Sequence, residues 1–399
     1  MEHKEYWEGV ATGILGAAVI AAGGFLGYIR AVPEKEQSVL SDSAHVQKLE
    51  YLESLIDEYY LEEKDEERLT EGLYAGLIYG LSDPYSRYYT AEEYEKETTG
   101  TEGSYVGVGI LIGKNPGGGA IVSKCYEGGP ADAAGIMDGD VISAVDGQDV
   151  TEMELDEIVD LIKNNETGSV LLTIHREDQE QMEVRTEISD VELPSVFYEM
   201  LDDEIGYIRI SEFTGVTPGQ YETAFQKLEE QGMKELIVDL RNNPGGLLDS
   251  VCSILNDILP EGLIVYTEDK YGNREEEHSD GEHPLEIPLA VLVNGSSASA
   301  SEIFAGAVQD YGVGTIVGTT TYGKGVVQSI RMLSDGSAVK LTSSRYYTPN
   351  GNNIHNTGIT PDVEVKPDAS LLNQTDISHE EDNQLQAAIS VLNEGKNER

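Results

Sequence analysis

Val291-Leu-Val-Asn-Gly-Ser-Ser-Ala-Ser-Ala-Ser-Glu302 passes from an apolar run through a turn into a helical pattern. Its apolar start reads as the end of a buried strand and Asn294-Gly295 as a turn. Ala300, Ile303, Phe304, Ala307 and Val308 then recur at helical spacing. Ser299 therefore falls in the first turn of a helix, just past the end of a strand. In open α/β sheets such crevices hold ligands, and unpaired N–H groups at the helix start, Ala300 included, can stabilise an oxyanion. Serine is also an ordinary N-cap, so this stretch alone does not make Ser299 a nucleophile.

Outward from it, strands at 205–210, 236–240 and 289–293 alternate with helical patterns at 218–231, 247–259 and 299–310. That alternation predicts an α/β layer fold. A serine that attacks a carbonyl needs a base, and none of the seven histidines lies in a catalytic setting. Lys324 stands between Gly323 and Gly325, after one short strand and before another. Burial would lower its pKa and free a neutral amine to take the proton; the plain alternative is a solvated turn. Gln328 follows four residues on and can orient that amine through its side-chain carbonyl. Leu236-Ile-Val-Asp-Leu-Arg-Asn-Asn-Pro-Gly-Gly-Leu-Leu248 is a buried strand ending in a Pro-Gly-Gly turn, where glycines allow close backbone approach to a ligand.

Together these segments resemble the carboxyl-terminal processing, or tail-specific, proteases of the S41 serine peptidase class. The resemblance rests on Ser297-Ala-Ser-Ala-Ser-Glu302, on Tyr322-Gly-Lys-Gly with Gln328, and on Asp239-Leu-Arg-Asn-Asn-Pro-Gly-Gly246. It takes in the 25-residue step from Ser299 to Lys324 and the Asp83-Pro84-Tyr85-Ser86 element. It implies a layered protease core like that of ClpP and crotonase, with Ser299 as nucleophile, Lys324 as general base and Gln328 positioning it. The N–H of Ala300, with that of Gly245 or Gly246, would form the oxyanion hole. No cofactor and no metal are implied.

Between residues 103 and 190 the texture changes to short alternating strands separated by glycines. Gly107-Val108-Gly109-Ile110 resembles the carboxylate-binding loop of a PDZ domain, whose N–H groups would receive a substrate C-terminus while the adjacent strand edge adds the peptide. In the family this domain gates the active site, and Arg176, ending its last clear strand, is the candidate for a part in that gating.

Residues 10–29 carry no charge and are long enough to cross a bilayer as a helix. Gly9, Gly13, Ala17 and Ala21 recur at the spacing that lets membrane helices pack closely. Tyr28 and Arg30 suit a signal-peptide cleavage site poorly, so an uncleaved anchor is expected. Lys4 before the span and Arg30 and Lys35 after it leave orientation undecided. The resemblance implies a single-pass cell-membrane protein with its catalytic domain outside the cytoplasm.

The expected order is a short tail (1–9), the span (10–29), a linker (30–43), a helical region (44–102), the PDZ domain (103–190), the protease core (191–367) and a polar tail (368–399). That tail holds one helix of no legible role. A net charge of −48, from 74 acids against 26 bases, excludes nucleic acid as a partner. Peptide C-termini and the membrane are the partners expected, and oligomeric state is left open, a homo-oligomer included. Cys125 and Cys252 lie far apart without a CxxC partner and read as buried, unpaired thiols. Two further readings stay open: a catalytically idle PDZ adaptor, and a hydrolase of small esters or amides.

Overall fold

The computed structural model describes residues 38–163, 165, 167–176, 181–369 and 377–397. The expected membrane span at 10–29 lies outside them; among the described residues no helix is long and apolar enough to cross a membrane. Helix α1 (Ser43–Tyr59) is capped by Asp42, whose carboxylate accepts the Ala44 N–H at 2.9 Å. Helix α2 (Glu66–Tyr79) follows. Strand β1 (Arg87–Tyr89) and helix α3 (Ala91–Glu102) come next, and Thr90 and Glu93 form the capping box that their spacing predicts.

The PDZ-like body begins with β2 (Ser104–Gly107), β3 (Ile110–Lys114), β4 (Ala120–Cys125) and the short helix α4 (Pro130–Ala133). It continues through β5 (Val141–Val145), β6 (Gln148–Asp149), α5 (Leu155–Lys163), β7 (Ser169–His175), β8 (Met182–Glu187) and β9 (Ser189–Glu192). The sheet order is β3-β4-β5-β7-β8, with β6 on β5, so β3 is an edge strand; β2 and β9 form a separate ribbon. Alternate residues Val170, Leu172 and Ile174 of β7 face a core completed by Ile158 and Ile162, one turn apart on α5.

The protease core follows as β10 (Val196–Leu201), β11 (Ile205–Ile210), α6 (Thr217–Glu230), β12 (Glu235–Asp239), α7 (Leu248–Asn256), β13 (Gly262–Asp269), β14 (Arg274–Ser279) and β15 (Leu289–Val293). It ends with α8 (Ala300–Tyr311), β16 (Thr315–Gly318), β17 (Val326–Met332), β18 (Ala338–Tyr347), β19 (Val363–Glu364) and α9 (Asn383–Asn397). A sheet ordered β10-β11-β12-β15-β16-β19 is parallel except for the β10–β11 pair. Its central strands are apolar without a break because both faces are covered. Leu236, Val238, Val291 and Val293 face α6, α7 and α8, whereas Ile237, Ala290 and Leu292 face Leu385, Ala388 and Leu392 of α9. The helix without a legible role is thus the cover of the sheet's second face.

A second sheet joins β17, β18, β13 and β14 to β1, which pairs with β18 from Arg87↔Lys340 to Tyr89↔Ala338. The segment read as purely helical therefore lends the core a strand. Cys252 is buried and Cys125 half-buried, both as free thiols.

Candidate active site

The turn after β15 is built by its own side chains. The Asn294 carboxamide accepts the Ser296 N–H at 3.0 Å and the Asn242 N–H at 3.1 Å, while the Ser297 hydroxyl donates to the Leu240 carbonyl at 2.8 Å. This path delivers Ser299 to the N-cap of α8 with φ 52° and ψ −114°. A residue with a β-carbon is held there only at a cost of about 1–3 kcal/mol, and such strain clusters at functional sites. Two side chains help hold it: the Ser299 N–H donates to Glu302 Oε2 at 2.9 Å, and the Tyr346 hydroxyl donates to the Ser299 carbonyl at 3.2 Å.

Glu302 is fully buried and does more than cap its helix. Its Oε1 accepts the Thr321 hydroxyl at 2.5 Å and the Gly323 N–H at 2.7 Å; its Oε2 accepts the Lys324 N–H at 2.8 Å beside that of Ser299. One carboxylate thus ties the backbone of Ser299 to the loop that carries Lys324. The Tyr322 N–H adds a bond to the Ser297 carbonyl at 3.0 Å.

The Pro-Gly-Gly turn abuts the same serine. Asn243, fully buried, donates to the Ile210 carbonyl at 3.0 Å and accepts the Gly245 N–H at 2.8 Å. Its own carbonyl accepts the Ala298 N–H at 3.1 Å and the Ser301 hydroxyl at 3.0 Å. A β-carbon on Gly245 would lie 2.7 Å from Ser299 Cβ, and one on Gly246 would lie 2.1 Å from the Phe213 carbonyl oxygen. With φ of 108° and 139°, both positions require glycine. The Gly245 N–H is spent on Asn243, whereas those of Gly246 and Ala300 meet no acceptor among the described residues.

Lys324 is half-buried, and its Nζ lies over the ring of Tyr85, 5.2 Å from the centroid. Burial holds its pKa below the usual lysine value; Lys340 pushes the same way and Glu302 opposes both. Among the described residues its amine makes no hydrogen bond to Ser299. Nor is Gln328 brought to it: Nε2 of Gln328 donates to Thr342 Oγ1 at 3.4 Å, across the β17–β18 ladder. Tyr85 is anchored by Ser86, whose hydroxyl donates to Asp83 at 2.6 Å and accepts the Thr342 N–H at 3.1 Å. A cleft of about 640 Å³ opens beside Tyr85, lined also by Asp83, Val326, Arg345 and His355.

In the PDZ-like body, Gly107, Val108 and Gly109 are buried at the start of β3. The Val108 carbonyl accepts the Ala131 N–H at 2.8 Å and that of Gly109 accepts the Tyr126 N–H at 3.0 Å. Arg176 is engaged inside this body. It forks onto nearly inaccessible Asp140 at 2.7 and 2.8 Å and donates to the Gly135 carbonyl at 2.7 Å.

Sequence reasoning missed four participants: Glu302, Asn243, Tyr85 and Arg241. The Arg241 guanidinium holds Asp239 of β12 and Asp382. Asp382 caps α9 by accepting the Leu385 N–H at 3.0 Å, so the segment leading into the Pro-Gly-Gly turn is roped to the C-terminal helix. The one available signal was the excess of charged and amide side chains where a plain turn needs fewer.

The structure thus brings a strained serine at a helix start, a half-buried lysine and two turns stitched to each other into one place, in a chain that also holds a PDZ-like body. Comparison with known proteins agrees. Residues 204–365 match peptidase family S41, residues 121–176 match a PDZ domain, and residues 25–93 match the activating protease CtpB N-terminal domain. A "Probable CtpA-like serine protease" of Staphylococcus epidermidis is 35% identical over 81% of this chain and 66% of its own length. A protein of the same description in Staphylococcus aureus is 34% identical over 82% and 66%. The chain thus spans about two thirds of the length of these relatives. Among solved structures, the photosystem II D1 C-terminal processing protease is 31% identical over 80% of this chain and 86% of that one, with a TM-score of 0.47. The chain belongs to the S41 serine peptidases of the carboxyl-terminal processing type and carries a PDZ domain.

Proposed function

We propose that the chain is a serine endopeptidase that cleaves proteins at or near their C-termini, outside the cytoplasm, with Ser299 as nucleophile and Lys324 as general base. The observation that carries this reading is the Glu302 carboxylate, which accepts the backbone N–H of both residues at 2.9 and 2.8 Å. A buried acid shared between a strained serine and a lysine loop has no need to exist in an idle adaptor.

Neutral Lys324 takes the Ser299 hydroxyl proton as Oγ bonds to the peptide carbonyl carbon. The oxyanion is received by the N–H groups of Ala300 and Gly246, Gly245 being already spent. Protonated Lys324 then gives its proton to the departing amine as the C–N bond breaks. A water, deprotonated by the now neutral Lys324, attacks the acyl carbon, and the proton returns from Lys324 to Ser299 Oγ as the acid leaves. Lys324 must leave the Tyr85 ring to do this, and Gln328 can accept from its ammonium once turned from Thr342. The PDZ domain recognises the substrate C-terminus and gates the site, with Arg176 bracing the loop that bounds the module. The span at 10–29 tethers the enzyme to the membrane.

The test is incubation of the full chain with a C-terminally tagged, unfolded protein, beside Ser299→Ala and Lys324→Ala. Cleavage by the wild type alone is expected. Equal cleavage by all three overturns the dyad, and cleavage by none favours the adaptor.

A further inference from the structure

The start of β3 carries an occupant of its own. Ile110 faces Cys125 across the β3–β4 ladder, and the flanking bond runs from the Tyr126 N–H to the Gly109 carbonyl. That pattern marks Ile110 and Cys125 as a non-hydrogen-bonded pair. The Cys125 N–H is accordingly turned to Asp138, at 2.6 Å. The N–H and C=O of Ile110 therefore point away from β4, toward the free edge of the sheet. An added peptide strand would need that carbonyl for its last N–H, and the loop N–H groups of residues 108–110 for its carboxylate.

Tyr105 reaches that carbonyl. It is fixed on β2 opposite Val191 of β9, and its ring lies on Gly107 so closely that a β-carbon there would stand 2.5 Å from Cε2. Its hydroxyl donates to the Ile110 carbonyl at 3.4 Å. Burial is the main cause that pushes the hydroxyl's pKa up to about 12, so at neutral pH it retains the proton it donates. Phenylalanine would fill the place over Gly107 equally well, so the hydroxyl is the feature that packing leaves unexplained.

We propose that Tyr105 sets the affinity of the PDZ groove for a substrate's terminal residue, its hydroxyl occupying the Ile110 carbonyl that the N–H of a C-terminal residue must take. The proposal rests on the reading of residues 107–110 as a carboxylate-binding loop. A ligand has to exchange one neutral hydrogen bond of Tyr105 for its own, so weak C-termini are refused and only those with further contacts along β3 and α5 enter. Because β2 and β9 connect the PDZ domain to the core, release of Tyr105 occurs at the ribbon through which binding can be felt there.

The test uses the full chain in detergent, with Ser299→Ala throughout to prevent turnover. The probes are short fluorescein-labelled peptides ending in Ala, Val or Leu with a free carboxylate, and their amidated twins. Tyr105→Phe is expected to tighten binding of the free-carboxylate peptides by about three- to tenfold, with amides weaker in both proteins. Tyr105→Leu, which keeps apolar cover over Gly107, is expected to do the same and guards against a local folding effect in either variant. If free-carboxylate peptides exceed amides but neither variant binds more tightly than the parent, the role of Tyr105 is overturned and the loop reading stands. If free and amidated peptides bind alike in all proteins, the loop reading itself fails and takes the proposal with it.

Discussion

Replacing Glu302 by Gln changes one atom and should cost much of the enzyme. The carboxylate accepts two donors on each oxygen: Thr321 Oγ1–H and the Gly323 N–H on Oε1, the Ser299 and Lys324 N–H groups on Oε2. Glutamine keeps one oxygen and puts an NH₂ where the other stood. With NH₂ in place of Oε2, two backbone donors face a donor. With NH₂ in place of Oε1, Thr321 can rotate and accept, but the Gly323 N–H is stranded. Each hydrogen bond to a charged group contributes about 1.5–3 kcal/mol, and a stranded buried donor costs about 1–3 kcal/mol. The cheaper orientation therefore loses roughly 3–5 kcal/mol, a large share of the about 5–15 kcal/mol that holds a domain together. Relaxation of the strained Ser299 or of the lysine loop should also lower kcat by about a hundredfold or more, because reacting groups displaced by an ångström lose that much. Urea unfolding followed by circular dichroism, with turnover of a labelled protein substrate, measures both effects. A variant within about 1 kcal/mol of the wild type and with unaltered kcat would show that the four bonds do not hold the site.

Four further outcomes are expected. Lys340→Gln removes a positive neighbour that helps hold Lys324 below the usual lysine range, so the rising limb of the kcat/KM–pH profile should move to higher pH; an unmoved limb contradicts this. Tyr85→Leu removes the ring that favours the ammonium form of Lys324, and the same limb should move to lower pH while the Lys340 variant moves it up. Gly245→Ala drives a β-carbon to 2.7 Å from Ser299 Cβ and should lower kcat about a hundredfold or more, with peptide binding by the PDZ domain unchanged in fluorescence anisotropy. Leu385→Ala opens a cavity between α9 and the sheet and should cost about 2–4 kcal/mol in urea unfolding; a smaller loss than about 1 kcal/mol would mean that α9 is not part of the core.

The layered core was legible because its signals are local. The helix expected over 299–310 is Ala300–Tyr311, and the strands around 205–210 and 289–293 lie where the apolar runs end. The placing of Ser299 at a helix start and of Lys324 on a glycine-flanked loop was legible from the strand–turn–helix and Gly–Lys–Gly patterns. The rest depended on partners distant in sequence. Glu302 looks like any N3 glutamate of a capping box; nothing near it reveals that Thr321, Gly323 and Lys324 donate to the same carboxylate. Gln328 shows the opposite failure. Its distance from Lys324 in sequence suggested contact, but the bulge between Val327 and Gln328 and the pairing with β18 turn it to Thr342. β1 is too short to show a period, and it forms only because β18 offers it an edge. For α9, Leu385, Ala388 and Leu392 mark an apolar stripe, but a stripe does not say which surface it covers.

The two halves of the site are consequently under different control. Ser299, Gly245 and the backbone of Lys324 are fixed by bonds to buried groups, so under the proposed mechanism substrate arrival finds the oxyanion donors in place. The lysine amine is fixed by none of these: it rests on Tyr85, where attraction to the ring favours the charged form. A base must be neutral before it can take the serine proton, and burial and Lys340 both press Lys324 in that direction. Losing the proton also removes the attraction to the ring, so the event that makes the lysine a base is the one that frees it to reach Ser299. Under the proposed mechanism, gating by the PDZ domain then needs no rearrangement of the core. It needs only a shift in the balance between Tyr85 and Lys340, on a segment that Ser86 ties to β18.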